Sequence, residues 1–222
     1  MTRRDGSGGW RWVLLAAIVG FVSSFLLSGL FHLPRAAFLT GYAILTGAYF
    51  IAYIRQQRLT LQTQLVRRWI AGVIGGVAVG AVLVWQVLGQ PPSPHPEGSQ
   101  LFGQLVLYGL IYGTVDALLL SVVPVIALYG SRTSAELHGL GSRFKWALVA
   151  LLGSAVVTAA YHVGFAEFRG PQLSQPVIGN MLMTLAYLLT GSPWAAILSH
   201  ILMHAAAVMH GMATTSQLPP HY

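Results

Sequence analysis

The sequence predicts an all-α fold, a polytopic membrane bundle of about seven transmembrane helices, and three observations carry that expectation. Hydrophobic residues make up 55% of the 222-residue chain and charged residues only 8%, whereas a soluble domain carries about 25% charged residues. Apolar runs near the length needed to cross the hydrocarbon layer recur along the chain, and helices satisfy their own backbone hydrogen bonds there. The basic residues, finally, fall on alternate loops.

The runs read as spans at Trp12–Phe31, Ala36–Ile54, Trp69–Gly89, Leu101–Tyr129, Trp146–Phe165, Pro176–Thr190 and Trp194–Met212. The first follows Arg3 and Arg4 but is too long for a signal-peptide core and lacks a small-residue cleavage site, so it reads as a retained helix. Gly72, Gly75, Gly76 and Gly80 give the third span a small-residue face suited to close helix packing. The fourth is overlong, and Pro124 within it marks a kink or a descent into the interface. The sixth is short and joins the seventh through Gly191-Ser192-Pro193, a tight helical hairpin.

With the N-terminus cytoplasmic and the C-terminus exocytoplasmic, the inner segments hold Arg3, Arg4, Arg11, Arg55, Arg58, Arg67, Arg68, Arg132, Arg143 and Lys145. The outer segments hold Arg35 and Arg169. Ten against two is a positive-inside pattern, and it places the protein in a plasma membrane, expected to be bacterial. The proline-rich linker from Gln90 to Gly98 divides three plain helices (residues 1–90) from a four-helix portion (101–212) that carries the unusual polar residues. The net charge of +7 is scattered over short loops and forms no basic face with interleaved aromatics, so no nucleic-acid partner is expected. Membrane lipid is the evident surrounding. The absence of cysteine excludes disulfides, thiolate ligands and cysteine catalysis.

Asp116 sits near the middle of the fourth span, where a carboxylate costs several kcal/mol and usually faces a site or a partner. A structural reading has it bonded to Tyr112, one turn away. His200 and His204, four residues apart, share one helical face. With His162 on the fifth span, these residues could supply a carboxylate and three imidazoles, a set suited to zinc or another divalent metal. His210 is turned off that face and reads as an outer-interface residue. Glu167 adds a second carboxylate at the outer end of the fifth span, a further candidate for catalysis beside the plainer reading of a surface pair with Arg169. Asn180 is either a helix-to-helix hydrogen-bonding residue or part of the site. At a 1.5 Å rise per residue, His162 lies about 10 Å further out than the other three; helix tilt could close part of that gap, and without it His162 belongs with Glu167 and His210 near the outer surface.

The C-terminal half resembles the CPBP family, the CAAX prenyl endopeptidases and bacteriocin-processing membrane proteins, over roughly residues 105–211. The stretch from Leu189 through Gly191-Ser192-Pro193-Trp194 to His200 and His204 is similar to the family's Thr-Gly-Ser-Leu-Trp followed by His-x-x-x-Asn, with His204 at the Asn position. Thr158 to His162 resembles Phe-x-x-x-His, with Thr158 in place of Phe. Asp116 to Ser121 stands where the family has Glu-Glu-x-x-x-Arg, with Asp116 for the first Glu, Ala117 for the second and Ser121 for the Arg. The resemblance implies a membrane metallopeptidase acting on a membrane-associated peptide or protein. In it Asp116 and His162 serve as base and ligand, and His200 and His204 complete the site. Two other classes compete. Paired histidines could hold a haem b, or the chain could be a non-catalytic scaffold or assembly subunit whose histidines bond only between helices.

Overall fold

A computed structural model describes residues 7–59, 65–66 and 68–219. The basic residues Arg3, Arg4 and Arg67 and the terminal His221 lie outside this description. Seven long helical rods run through the described residues: α1 (Gly8–Leu30), α2 (Arg35–Gln57), α3 (Trp69–Leu88), α4 (Gly98–Gly130) and α5 (Leu140–Val163), then α6 (Ser174–Thr190) and α7 (Trp194–His210). No strand occurs among the described residues. The first five are long and apolar enough to span a bilayer. The α6–α7 hairpin has 17 residues in each arm and turns at Gly191, whose left-handed φ of +67° closes the end of α6.

Burial sorts the rods. In its most apolar stretch, α4 is 72% buried, against 28–33% for the other four long helices. It is therefore the central helix, and the others lay lipid-facing residues such as Leu14, Ile44, Ile74 and Leu152 outwards. The inward face of α2 carries Phe38, Tyr42, Thr46, Tyr49 and Tyr53, all buried at helical spacing. Tyr49 donates to the Trp12 carbonyl at 2.7 Å and so ties α2 to α1. The glycines of α3 meet α7 as their composition predicts: a Cβ on Gly76 would stand 2.9 Å from Leu198 Cβ and 3.0 Å from the Ala195 carbonyl. Helices from residues 1–90 thus pack directly against those from 101–212.

α4 departs from a regular helix. Wide π-type turns at Leu105–Tyr112, Ala117–Val122 and Ile126–Gly130 alternate with α-helical turns, an arrangement frequent at functional sites. Pro124 does not end the rod. It offers no N–H to the Leu120 carbonyl four residues back, and that carbonyl accepts from Ser154 Oγ at 2.6 Å and Asn180 Nδ2 at 3.4 Å. Neighbouring helices supply what the proline removes, as a membrane interior requires.

The two ends of the bundle differ. One gathers Arg35, Arg169, the 90–98 linker and the C-terminal segment: Ser93 N–H donates to the His210 carbonyl at 3.3 Å, and Arg35 Nε to the Pro219 carbonyl at 2.8 Å. The other gathers Arg68, Arg132, Arg143 and the α6–α7 turn around one cavity. The positive-inside reading of the sequence predicts that this second end is the cytoplasmic one. Reporter fusions should accordingly label the 91–97 linker outside and the 131–139 loop inside. The opposite labelling would overturn the orientation.

Candidate functional site

Four of the residues singled out by sequence meet at one cavity of about 70 Å³, lined by Asp116 from α4, His162 from α5 and His200 and His204 from α7, with Tyr112 and Asn180 beside them. Asp116 is 4% exposed and His200 and His204 2% each. Close packing brings α4 and α7 together: a Cβ on Gly113 would lie 2.9 Å from both N and Cα of Ile201. Only glycine admits that approach, and it sets Tyr112 and Asp116 against the histidine face of α7.

Asp116 is held on both oxygens. Oδ1 accepts from the Tyr42 hydroxyl at 2.8 Å, and Oδ2 stands 3.3 Å from His204 Nε2. That second contact lacks hydrogen-bond alignment, and neither ring nitrogen of His204 has a hydrogen-bond partner although both are buried. Tyr42 is the aligned donor to Asp116, and the expected Tyr112 also stands within reach of the carboxylate. Tyr112 bonds the Tyr161 hydroxyl at 2.8 Å, and the Tyr42 and Tyr161 rings stack with centroids 5.0 Å apart. Tyr42 is the site residue that sequence reasoning missed, since the first three helices were assigned no function. The signal was present in the polar-aromatic stripe of α2.

The other two histidines are oriented by their own helices. His162 Nδ1 lies 2.8 Å from the Thr158 carbonyl and His200 Nδ1 2.9 Å from the Ala196 carbonyl. A carbonyl only accepts, so each Nδ1 carries the proton and each neutral ring presents Nε2 as an acceptor or ligand atom. His162 packs edge-on to Tyr161 and Phe168, at 5.0 Å from each. The cavity extends outwards past Phe168, Gln175 and Pro176, which is how it reaches His162 as well as the deeper Asp116. The donor types suit a divalent metal. Among the described residues, however, no three His, Asp or Glu side chains converge tightly enough to hold one ion.

Glu167 is not at this cavity. It is exposed and lines an adjoining outer pocket with Arg35, Gln172 and Gln175, because the chain leaves α5 at Gly164 and turns through Ala166–Phe168 along the surface. Arg169 turns back to the Val163 and Gly164 carbonyls at 3.0 and 3.1 Å. His210 stands at the outer end, its Nε2 donating to the Gln90 carbonyl at 2.7 Å. Asn180 does face the cavity. It also knots α4, α5 and α6 together: it accepts from Ser121 Oγ at 2.8 Å and donates to Ser154 Oγ and Thr158 Oγ1 at 2.9 and 2.6 Å.

A feature invisible in the sequence closes the mouth. Residues 211–219 fold back as a strap whose Ser216, Gln217, Leu218 and Pro219 line the cavity. Arg35 binds it through the Met212 and Pro219 carbonyls. Gln90 binds it through the Gln217 side chain at 2.9 Å and the Ser216 N–H at 3.0 Å, and Leu218 is 5% exposed.

Two substitutions test these assignments. Tyr42→Phe leaves a buried carboxylate oxygen without its donor, a loss of roughly 1–3 kcal/mol, and should lower the thermal midpoint in mild detergent by several degrees. An unchanged midpoint would remove Tyr42 from the site. Arg35→Gln should free the strap, read as faster removal of C-terminal residues by carboxypeptidase. Equal digestion of the two proteins would show that Arg35 does not anchor it.

Comparison with known proteins bears on the same helices. The family model described as "Type II CAAX prenyl endopeptidase Rce1-like" matches residues 135–206, which begin in the loop before α5 and end within α7. His162, His200 and His204 fall inside the match and Asp116 lies upstream of it. No characterised protein and no solved structure gives a significant match. Over α5 to α7, in the region that holds all three cavity histidines, this chain is similar to the Rce1-like family.

Proposed function

We propose that this protein is an intramembrane peptidase in which the Asp116 carboxylate activates the attacking water. The observation that carries the reading is a buried carboxylate opening on a cavity lined by three histidines of α5 and α7, all within the segment similar to a membrane peptidase family. Asp116 takes a proton from water as the water oxygen attacks the carbonyl carbon of a peptide bond. His162 and His200 present Nε2 as acceptors, so their neutral rings can take a proton but cannot donate to the oxyanion. Donation falls to the Tyr112 hydroxyl, which lines the cavity and is free to turn inwards when Tyr161 is the donor of their shared bond. Collapse breaks the C–N bond, and the proton held by Asp116 passes to the departing amine directly or through the adjoining His204. Enclosure excludes competing solvent and strengthens these charges.

A divalent metal would polarise the carbonyl or lower the pKa of its bound water, with Asp116 and His204 as its nearest donors and Nε2 of His162 and His200 completing the set. The two unpartnered ring nitrogens of His204 favour it. The donors as placed do not gather three on one point, so no step above depends on it.

The cavity is also small. At about 70 Å³ it has room for a small cluster of waters and none for an extended peptide. Substrate entry therefore requires the strap to leave. The expected substrate is a membrane-associated peptide or protein segment.

A second reading, the non-catalytic scaffold, draws on a different observation. The family's second Glu and Arg are replaced by Ala117 and Ser121, and Ser121 is committed to Asn180 and Thr184 at 2.8 Å each, which is a helix-fastening role.

One experiment separates the readings. Protein in mild detergent is offered a fluorogenic peptide library, and metal content is measured on the same sample. Peptidase action predicts turnover that falls by about 10²–10⁴-fold in Asp116→Asn, the usual contribution of a general base, and that persists in His210→Ala. Turnover equal in the wild type and Asp116→Asn would sink the role of Asp116. No turnover, no bound metal and unaltered assembly on alanine substitution at His162, His200 and His204 would establish the scaffold.

A further inference from the structure

At the opposite end of the bundle from the histidine cavity, the ends of α4 and α6 and the start of α5 enclose a second cavity of about 550 Å³. Arg68, Arg132 and Arg143 line it, with Ser134 beside them and no carboxylate on its wall. We propose that this is a binding site for a phosphate-bearing anion at the cytoplasmic face of the membrane, of the class presented by anionic phospholipid headgroups and by inorganic phosphate.

Arg132 is the fixed member. Its side chain is only 6% exposed. Its guanidinium lies 3.6 Å over the Trp146 ring, Nε donates to the Leu128 carbonyl at 3.1 Å and Nη1 to Glu136 at 3.2 Å. Stacking and two hydrogen bonds hold the fork rigid, which is how arginine is preorganised for phosphate. Glu136 balances one charge of the three, and it is itself occupied by the Thr133 N–H and hydroxyl. Arg143 is steadied by Nε to the Leu137 carbonyl at 3.2 Å. Arg68 reaches in from the start of α3, beside Gly191.

Two ordinary causes put arginines here. Cytoplasmic loops are enriched in them, and cations favour helix C-termini such as those at Gly130 and Thr190. Neither requires three arginines from three different segments to line one cavity, where like charges repel. An anion between them removes that repulsion. The lining also includes the apolar Val125, Ile126 and Leu188. Arginines and apolar side chains around one cavity match a phosphodiester headgroup entering with part of its glycerol and acyl chain.

The test uses the full-length protein in mild detergent, with native mass spectrometry and thermal midpoints as readouts. Phosphatidylglycerol and phosphatidylcholine of identical chains are offered separately, and inorganic phosphate alone forms a third arm. Arg68→Gln/Arg143→Gln changes two exposed residues and leaves the stacked Arg132 in place. Arg55→Gln/Arg58→Gln removes the same charge from the same end of the bundle but outside the cavity. The site predicts selective retention of the anionic lipid with a raised midpoint, at least tenfold weaker in the first pair and unchanged in the second. Stabilisation by phosphate that is lost in the first pair, with no added effect of the lipid, identifies a free phosphate as the occupant. The proposal is overturned by equal retention of both lipids, by equal losses in the two variant pairs, or by no response to lipid and phosphate alike.

Discussion

A carboxylate buried at mid-depth in a membrane bundle is the constraint from which much of this structure follows. Asp116 is cut off from bulk solvent, so protein groups must surround it. Tyr42 answers from α2 and His204 from α7, and the stacked ring of Tyr161 holds Tyr42 in place from α5. Four helices are thereby fixed about one side chain. The glycine at 113 follows from the same demand, because any side chain there would hold α7 away and leave the acid with one partner fewer.

The middle of α4 shows how a membrane helix accommodates irregularity. Wide turns and a proline disturb its hydrogen-bond ladder, and the Ser121, Ser154, Asn180 and Thr184 network restores partners across α5 and α6. These polar residues differ in kind from the histidines. Each finds its partner among the others or on the Leu120 carbonyl, which makes the network a fastening. His204 has no such closure, and both its ring nitrogens stay buried without an aligned hydrogen bond.

Much of this was legible in the chain because it rests on local pattern. Hydropathy gave the seven rods, Gly191-Ser192-Pro193 the hairpin, and the spacing of His200 and His204 their shared face. Asp116 stood out by its type alone. What stayed hidden depends on which helices touch. Tyr42 resembles any interfacial tyrosine until α2 is laid against α4, and nothing in its own segment says that it bonds Asp116 ahead of Tyr112. The strap was hidden for a similar reason: residues 211–219 read as a tail, and only the distant Arg35 and Gln90 make them a cover. Glu167 was drawn to the site by residue type and nearness in sequence, but the turn after Gly164 carries it to the surface.

The short α6–α7 hairpin has a consequence for the lipid around it. Seventeen residues in each arm reach about 25 Å at 1.5 Å per residue, less than the roughly 30 Å of an average hydrocarbon core. Ile178, Leu185 and Leu189 show that α6 is lipid-facing, so the bilayer beside it has to pinch inwards to match. Such a dimple brings headgroups and water nearer to the very helices that bear Asn180, His200 and His204. The acyl-chain length of the host membrane then becomes a control on how easily the cavity is reached from the side.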